Sequence, residues 1–126
     1  FSRIKMPETP EEKKFRIQQG VVKRLAKEHK SYIDETNKGV ADIAAMRATE
    51  GHDEYVLKKM VERNEESRAM IGDACRRLSV ACADLATAME ALGKGEDDEG
   101  LKAAKELLET SRIQVPLSPG FTVFHL

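Results

Sequence analysis

Apolar and small residues recur at steps of three and four along the middle of the chain. From Leu57 to Leu92 these steps alternate without a slip. This spacing places the side chains on one face of an α-helix, and no two-residue alternation typical of a strand competes with it. The pattern predicts one long helix whose buried stripe comprises Leu57, Met60, Asn64, Ser67, Ile71, Ala74, Leu78, Ala81, Leu85, Ala88 and Leu92.

An earlier stripe has the same spacing but is less regular. It follows Thr9, a predicted N-cap, with Pro10 at the first helical position and two glutamates in the first turn. Gly51 predicts the end of this helix, and Asp53 predicts the cap of the next. The apolar positions are Phe15, Val22, Leu25, Tyr32, Ile43 and Met46, and the same register passes through Gln18, His29, Thr36 and Gly39.

A third, shorter helix follows the loop "GKGEDDEG", whose acidic residues suit a helix N-terminus. Its predicted buried stripe is Leu101, Ala104, Leu107 and Leu108. The two long helices would each span roughly 57 Å, and the short loop between them requires an antiparallel hairpin. The third helix, at roughly 24 Å, can cover less than half of that hairpin. The predicted fold is all-α: an elongated antiparallel three-helix bundle in which the alanine-rich segment "SVACADLATAMEAL" is the covered half.

The predicted bundle occupies residues 11–112, between an N-terminal extension (1–10) and a non-helical apolar tail (113–126). Met6 is a candidate native start, in which case residues 1–5 would be foreign to the protein. The tail carries two prolines and too many apolar residues for a solvated segment. We expect it to lie along the uncovered half of the hairpin, between the first two helices, or in the same place on a neighbouring molecule; the alternative is a chance packing contact.

Composition excludes several classes of function. The chain has 126 residues, of which 34% are charged, and a formal net charge of −1, so no overall field favours nucleic acid or an anionic membrane. No apolar run is long enough to span a bilayer. Cys75 and Cys82 lie two helical turns apart, roughly 10 Å, too far for a disulfide between them. They are predicted to be small buried packing residues in a reducing compartment.

No arrangement of residues predicts catalysis. His29, His52 and His125 have no partner at metal-ligand spacing, and His29 is predicted to be a partly buried polar residue on the seam. The loop "GKGEDDEG" fits neither a phosphate-binding nor a calcium-binding pattern. We therefore predict a non-enzymatic binding or scaffold protein with no catalytic, cofactor-binding or metal-binding residue.

Three segments carry a family resemblance. "GVVKRLAKE" followed by Tyr32, the "MRA" that closes the first helix, and "ESRAMIGDACRRL" resemble the tubulin-specific chaperone A (tubulin-folding cofactor A) family over roughly residues 16–112. The resemblance implies a three-helix bundle without catalytic activity or a nucleotide site. It implies a cytoplasmic protein that captures β-tubulin and holds it as a monomer during folding and dimer assembly. Relatives are monomers or homodimers, so the oligomeric state stays open.

Gly72 interrupts the second helix where relatives commonly have proline. One interpretation is a weak point at which the helix bends. The other is that a small residue allows the first helix to approach closely.

The resemblance also implies an acidic partner with exposed apolar surface. Basic residues beside the seam are the predicted contacts, with one tyrosine as an anchor. They are Lys23, Arg24, Lys27, Arg68, Arg76 and Arg77, with Tyr32. The alternative function is a coiled-coil oligomerisation or tethering module, because the periodicity alone fits both.

Overall fold

The computed structural model describes residues 7–93, 95 and 98–113. These residues form three α-helices and no strand: α1 (Pro10–Ala48), α2 (Glu54–Leu92) and α3 (Glu99–Ile113). α1 and α2 have 39 residues each, about 58 Å, and they pack against one another as an antiparallel hairpin. α3 has 15 residues and packs against both. The all-α elongated bundle predicted from the periodicity is confirmed.

The helices begin where the sequence predicts. The Thr9 hydroxyl accepts a hydrogen bond from the Glu12 N–H at 3.1 Å, and the Glu12 carboxylate accepts one from the Thr9 N–H at 3.0 Å, which completes a capping box. Asp53 caps α2 by accepting from the N–H groups of Tyr55 and Val56. The Asp98 carboxylate accepts from the Leu101 N–H at the start of α3. Each cap satisfies a backbone N–H that has no partner within its helix.

The predicted stop at Gly51 is displaced from the end of the helix. α1 ends at Ala48 with Thr49 as its C-cap, while Gly51 lies in the following turn with φ of 76°. Glycine adopts this left-handed conformation without the steric cost of a Cβ atom. Gly51 therefore reverses the chain between α1 and α2 rather than ending α1 itself.

The core lies where α3 covers the hairpin. Leu78 and Leu85 of α2 are fully buried there, against Val22 of α1 and Leu108 of α3. Alanines and Cys82 fill the remaining space, so the helices approach closely. The buried cluster comprises Val22, Leu25, Leu78, Ala81, Cys82, Leu85 and Leu108.

Among the residues that the structure describes, only α1 and α2 close the half of the hairpin nearer the α1–α2 turn, and the seam there is more polar. Thr36 and Ser67 are buried there. The Ser67 hydroxyl donates to the Glu35 carboxylate at 3.1 Å. A Cβ atom built on Gly39 would overlap the Asn64 carboxamide, 2.6 Å from its Cγ atom, so the two helices are in close contact at this pair.

Most predicted core positions are buried, with differences in degree. Met60, Asn64 and Leu92 of the α2 stripe, and Leu107 of α3, are half-buried because they lie at the edges of the packed faces. His29 is fully buried rather than partly buried. Ser111, one turn after Leu108, is also buried and was not predicted, because serine gives no apolar signal. Both cysteines are free; Cys82 is buried as predicted, whereas Cys75 is half-buried because it lies beside the α2 stripe, and this partial burial raises the pKa of its thiol.

Gly72 does not mark a close approach between helices. It is exposed on α2, and the nearest side-chain atom to an added Cβ is the Arg76 guanidinium at 3.7 Å. The interpretation in which α1 packs against Gly72 is therefore wrong, because Gly72 lies off the buried stripe. α2 is a single α-helix through this position, and the bend stays a prediction.

The described part of α3 ends at Ile113, one residue beyond the predicted boundary. Nothing before Val115 opposes the helix, since Pro116 disfavours helical geometry only at the residue preceding it. The predicted position of the tail, and the suggested start at Met6, lie outside the described residues.

Candidate functional site

The hairpin presents two grooves between α1 and α2, one on each side of the seam, and α3 fills only one of them. On α1, Phe15 faces α3: its Cε2 atom lies 3.8 Å from the position of a Cβ on Gly100. Val21 and Arg24 lie on the opposite side of the seam, because successive residues turn by about 100° along a helix. The groove on that side is lined by residues of α1 and α2 alone among the residues the structure describes.

We call this second groove the open groove. It lies beside the same α1–α2 segments that α3 covers from the other face. Its lining combines apolar, cationic and anionic side chains: Gln18, Val21, Arg24, Leu25, Asp73, Arg76, Arg77, Val80, Ala81 and Asp84.

The floor of the open groove is fixed by a contact between the helices. The Gln18 side-chain amide donates to the Ala81 carbonyl oxygen at 3.3 Å. A helical carbonyl can accept a second hydrogen bond, so this contact joins α1 to α2 without breaking the backbone ladder of α2. It places Val21 of α1 and Val80 of α2 on the two walls of the groove.

The three arginines of the open groove differ in how far they are already paired. Arg77 donates to Glu28 at 2.9 Å and to Asp73 at 3.1 Å, and its hydrogen bond to Glu28 raises the pKa of the guanidinium. Arg76 approaches the same Asp73 at 3.5 Å. Arg24 makes no ion pair with any residue in the described part of the chain. Arg24 is thus the cation most available to an acidic partner, and Arg77 the least.

Exposed apolar side chains lie beside these arginines. Val80 is 62% exposed, and Ile17, one turn before Val21 on the same face of α1, is 48% exposed. Single exposed apolar side chains are common on protein surfaces, but Val80 lines the same groove as the three arginines. The open groove therefore offers both apolar area and positive charge.

The other predicted contacts do not share this groove. Lys23 and Lys27 are exposed on α1 but line none of the grooves described for the hairpin. Tyr32 is half-buried on α1 and lines none of them either. Arg68 lines a groove in the two-helix half, with Val40, Arg47 and Val61 among its neighbours. The structure thus brings together Arg24, Arg76 and Arg77 and separates them from Lys23, Lys27, Tyr32 and Arg68.

Sequence reasoning missed the apolar part of the site. Val80 falls outside the stripe that passes through Leu78 and Ala81, so it was not considered. An apolar β-branched residue away from the buried face of an amphipathic helix was the available signal. Val21 and Ile17 carry the same signal on α1.

The described residues contain no arrangement suited to metal binding and no helix long and apolar enough to cross a membrane. No group of three or more His, Cys, Asp or Glu side chains within that part of the chain could hold a metal ion. None of its helices meets the length and hydropathy that a membrane span needs.

Comparison with known families decides where this chain belongs. The family described as Tubulin binding cofactor A matches residues 10–108. That range includes all of α1 and α2 and most of α3. The chain belongs to the tubulin binding cofactor A family. The resemblance carried by "GVVKRLAKE" and "ESRAMIGDACRRL" is thereby confirmed, and the open groove lies within the matched range.

The matches between this chain and its relatives in the cofactor A family extend over nearly the whole length of each relative. The chain is 40% identical over 105 residues to tubulin-specific chaperone A of Gallus gallus, which covers 83% of this chain and 96% of the relative. The solved structure of human tubulin chaperone cofactor a is 37% identical, with a TM-score of 0.67 and coverage of 82% of this chain and 99% of that one. Tubulin folding cofactor A from Arabidopsis thaliana gives a TM-score of 0.71 at 29% identity, covering 80% and 94%. In each of these comparisons the match covers at least 80% of this chain.

Proposed function

We propose that this protein is a non-enzymatic tubulin-folding cofactor that captures β-tubulin and holds it as a monomer during folding and dimer assembly. The observation that carries the proposal is membership of the cofactor A family across the whole hairpin. The open faces of the helices support it, because a partner of protein size needs an extended surface rather than an enclosed pocket. A role in the cytoplasm follows from this activity and is part of the proposal.

The proposed contact residues are Lys23, Arg24, Lys27, Tyr32, Arg68, Arg76 and Arg77. Within this set, the structure favours the arginines of the open groove, where an acidic partner would meet cations next to exposed valines. Arg24 ranks first because it makes no ion pair within the described part of the chain. Lys23 and Lys27 offer the same charge on α1 but line none of the grooves described above.

The first experiment asks whether the chain binds tubulin at all. Size-exclusion chromatography with light scattering should show a complex of the full chain with β-tubulin and none with an unrelated acidic protein of similar size. A stable homodimer that ignores β-tubulin would instead favour the oligomerisation or tethering module. A homodimer that still captures β-tubulin would support the proposal, since dimerisation by itself does not distinguish the two functions.

The second experiment locates the surface with two matched double variants. Arg24→Glu with Arg76→Glu reverses two charges in the open groove, and Lys23→Glu with Lys27→Glu reverses two charges outside it. We expect the groove variant to weaken β-tubulin capture at least tenfold, the lysine variant to weaken it less, and both to retain the helical circular dichroism of the wild type. Unchanged capture by the groove variant would exclude this surface, and a larger loss from the lysine variant would move the contact to the outer face of α1.

A further inference from the structure

The short turn between α1 and α2 contains a histidine whose two ring nitrogens both face oxygen atoms. His52 Nδ1 lies 2.9 Å from the carbonyl oxygen of Thr49, the C-cap residue of α1. His52 Nε2 lies 2.7 Å from a carboxylate oxygen of Glu54, the first residue of α2. One imidazole ring thus connects the end of one long helix to the beginning of the other.

When Glu54 is ionised, neither of these oxygen atoms can donate a hydrogen bond; both can only accept one. A neutral imidazole has one N–H donor and one nitrogen with a lone pair, so it can satisfy only one of the two contacts. The other contact would then place a lone pair against an oxygen atom at hydrogen-bonding distance. Only the imidazolium ion, with a proton on each nitrogen, donates to both Thr49 and Glu54.

The charges around the ring favour the same protonation state. From α2, the carboxylates of Asp53 and Glu54 both lie beside it, and from α1 the Thr49 carbonyl belongs to the negative end of the helix dipole. The basic residue in the last turn of α1 is Arg47, which precedes the C-cap. α3 packs near Phe15, at the other end of the hairpin, so it adds no charge at this turn. The hydrogen bond to Thr49 is the largest contribution that raises the pKa of His52, and the Glu54 carboxylate adds to it.

We propose that His52 is a proton-dependent clamp on the α1–α2 turn, complete only when its imidazole is doubly protonated. The clamp closes the end of the hairpin that α3 does not reach, where only two helices form the seam. When the ring loses a proton, one of the two contacts is lost, because neither the Thr49 carbonyl nor the Glu54 carboxylate can donate to the deprotonated nitrogen. The ring then no longer joins the two helices, and the turn keeps only the Asp53 cap of α2 and the helix contacts of the adjoining seam.

The direction of the pH dependence follows from linkage. The pKa of His52 in the folded protein lies above its ordinary value of about 6.5. Its contribution to stability is therefore complete below the unfolded-state pKa and is lost as the pH rises through the folded-state pKa. Raising the pH through that range should loosen the turn and leave the three-helix core unchanged.

Two matched variants test the clamp. Glu54→Gln replaces an obligate acceptor with an amide that can donate to a neutral ring, so the turn no longer needs the second proton. Glu50→Gln is the control: it also removes one negative charge two residues from His52, on the N-terminal side. Glu50 makes no hydrogen bond to the His52 ring, so this change removes charge without removing a ring contact. NMR titration of the full chain, with the His52 ring signals assigned from a His52→Gln variant, gives the titration midpoint. Amide hydrogen exchange at residues 50–53, corrected for intrinsic base catalysis, reports opening of the turn.

We expect the wild-type midpoint of His52 to exceed the ordinary value, Glu54→Gln to lower it, and Glu50→Gln to change it less. Exchange at residues 50–53 should accelerate as the wild type passes its midpoint and should show no such step in Glu54→Gln. A wild-type midpoint at or below the ordinary value would overturn the proposal, and so would a Glu54→Gln variant with the wild-type midpoint. A raised titration midpoint of His52 without a pH-dependent step in amide exchange at residues 50–53 would show that the contact is only a surface ion pair. That result would also overturn the proposal.

Discussion

The two halves of the hairpin are built from the same two helices but are held together differently. In the covered half, α3 encloses a cluster of leucines, alanines and Cys82, and Leu78 and Leu85 are fully buried. In the two-helix half, the seam contains buried Thr36 and Ser67 and the close contact between Gly39 and Asn64. Under the third helix Leu78 and Leu85 are completely buried, whereas Ile43 and Leu57 in the two-helix seam keep 8% and 9% of their surface exposed. The covered half therefore holds most of the hydrophobic stabilisation, and the two-helix half depends on close approach and specific contacts.

Truncation of a core leucine in each half tests this comparison most strongly. Leu85 is fully buried under α3, whereas Leu57 is 9% exposed in the two-helix half. We expect Leu85→Ala to lower the free energy of unfolding by about 4 kcal/mol and Leu57→Ala by about 2 kcal/mol, since the surroundings of Leu57 can collapse more easily. Urea denaturation measures both. Equal losses would show that α3 adds little to the packing of the hairpin.

The contact between Gly39 and Asn64 tests the packing of the two-helix half. Gly39→Ala should destabilise the chain by about 1 kcal/mol, because overpacking against Asn64 outweighs the better helix propensity of alanine. In an Asn64→Ala background the same change should stabilise by about 1 kcal/mol, since the obstructing carboxamide is absent.

The control for this pair is Gly20→Ala, at a position where an added Cβ meets nothing within 4 Å. It should stabilise in either background. A Gly39→Ala variant as stable as Gly20→Ala would mean that the helices are not in close contact at Asn64.

Cys82 tests whether the thiol in the covered half is structural. Cys82→Ala should cost about 1 kcal/mol through a small cavity and leave β-tubulin capture intact. Thermal unfolding and the capture assay give the two values. Mild oxidation that abolished capture by the wild type but not by this variant would require a redox role for Cys82 instead.

Gly72 gives the smallest expected effect and distinguishes stability from function. Gly72→Ala should stabilise the chain by about 0.5 kcal/mol, because the position is exposed and only the Arg76 guanidinium lies near an added Cβ. If a bend at Gly72 contributes to capture, affinity for β-tubulin should fall even though stability rises. Unchanged affinity in a more stable variant would remove any functional role for flexibility there.

Much of the architecture could be predicted because its causes are local. Thr9, Asp53 and the acidic loop before α3 gave the helix starts, and the α2 stripe gave the packed face. Individual glycines were harder. Gly39 lies on the predicted α1 stripe and Gly72 lies off the α2 stripe, but the stripe alone does not show that Gly39 contacts Asn64, because that contact depends on how the two helices are aligned against each other.

The candidate site shows the same limit. Seven contact residues were predicted from charge and resemblance, and the structure groups only Arg24, Arg76 and Arg77 in one groove. Charge is visible residue by residue, but a shared surface requires knowledge of which residues of α1 lie opposite which residues of α2. The contribution of Val80 could not be recognised until its neighbours across the seam were known.

The three helices, their caps, the antiparallel hairpin and the buried face of each helix can all be derived from the amino-acid sequence. Those features follow from periodicity, capping chemistry and chain length, all of which act within one helix or one short loop. Only the tertiary structure decided which of the two grooves α3 fills and which stays open with Arg24 and Val80 on its walls. A hydrophobic stripe shows that a helix is buried along one line, but it is nearly symmetric about that line. The side on which a third helix packs is therefore fixed by the fit of side chains from all three helices together.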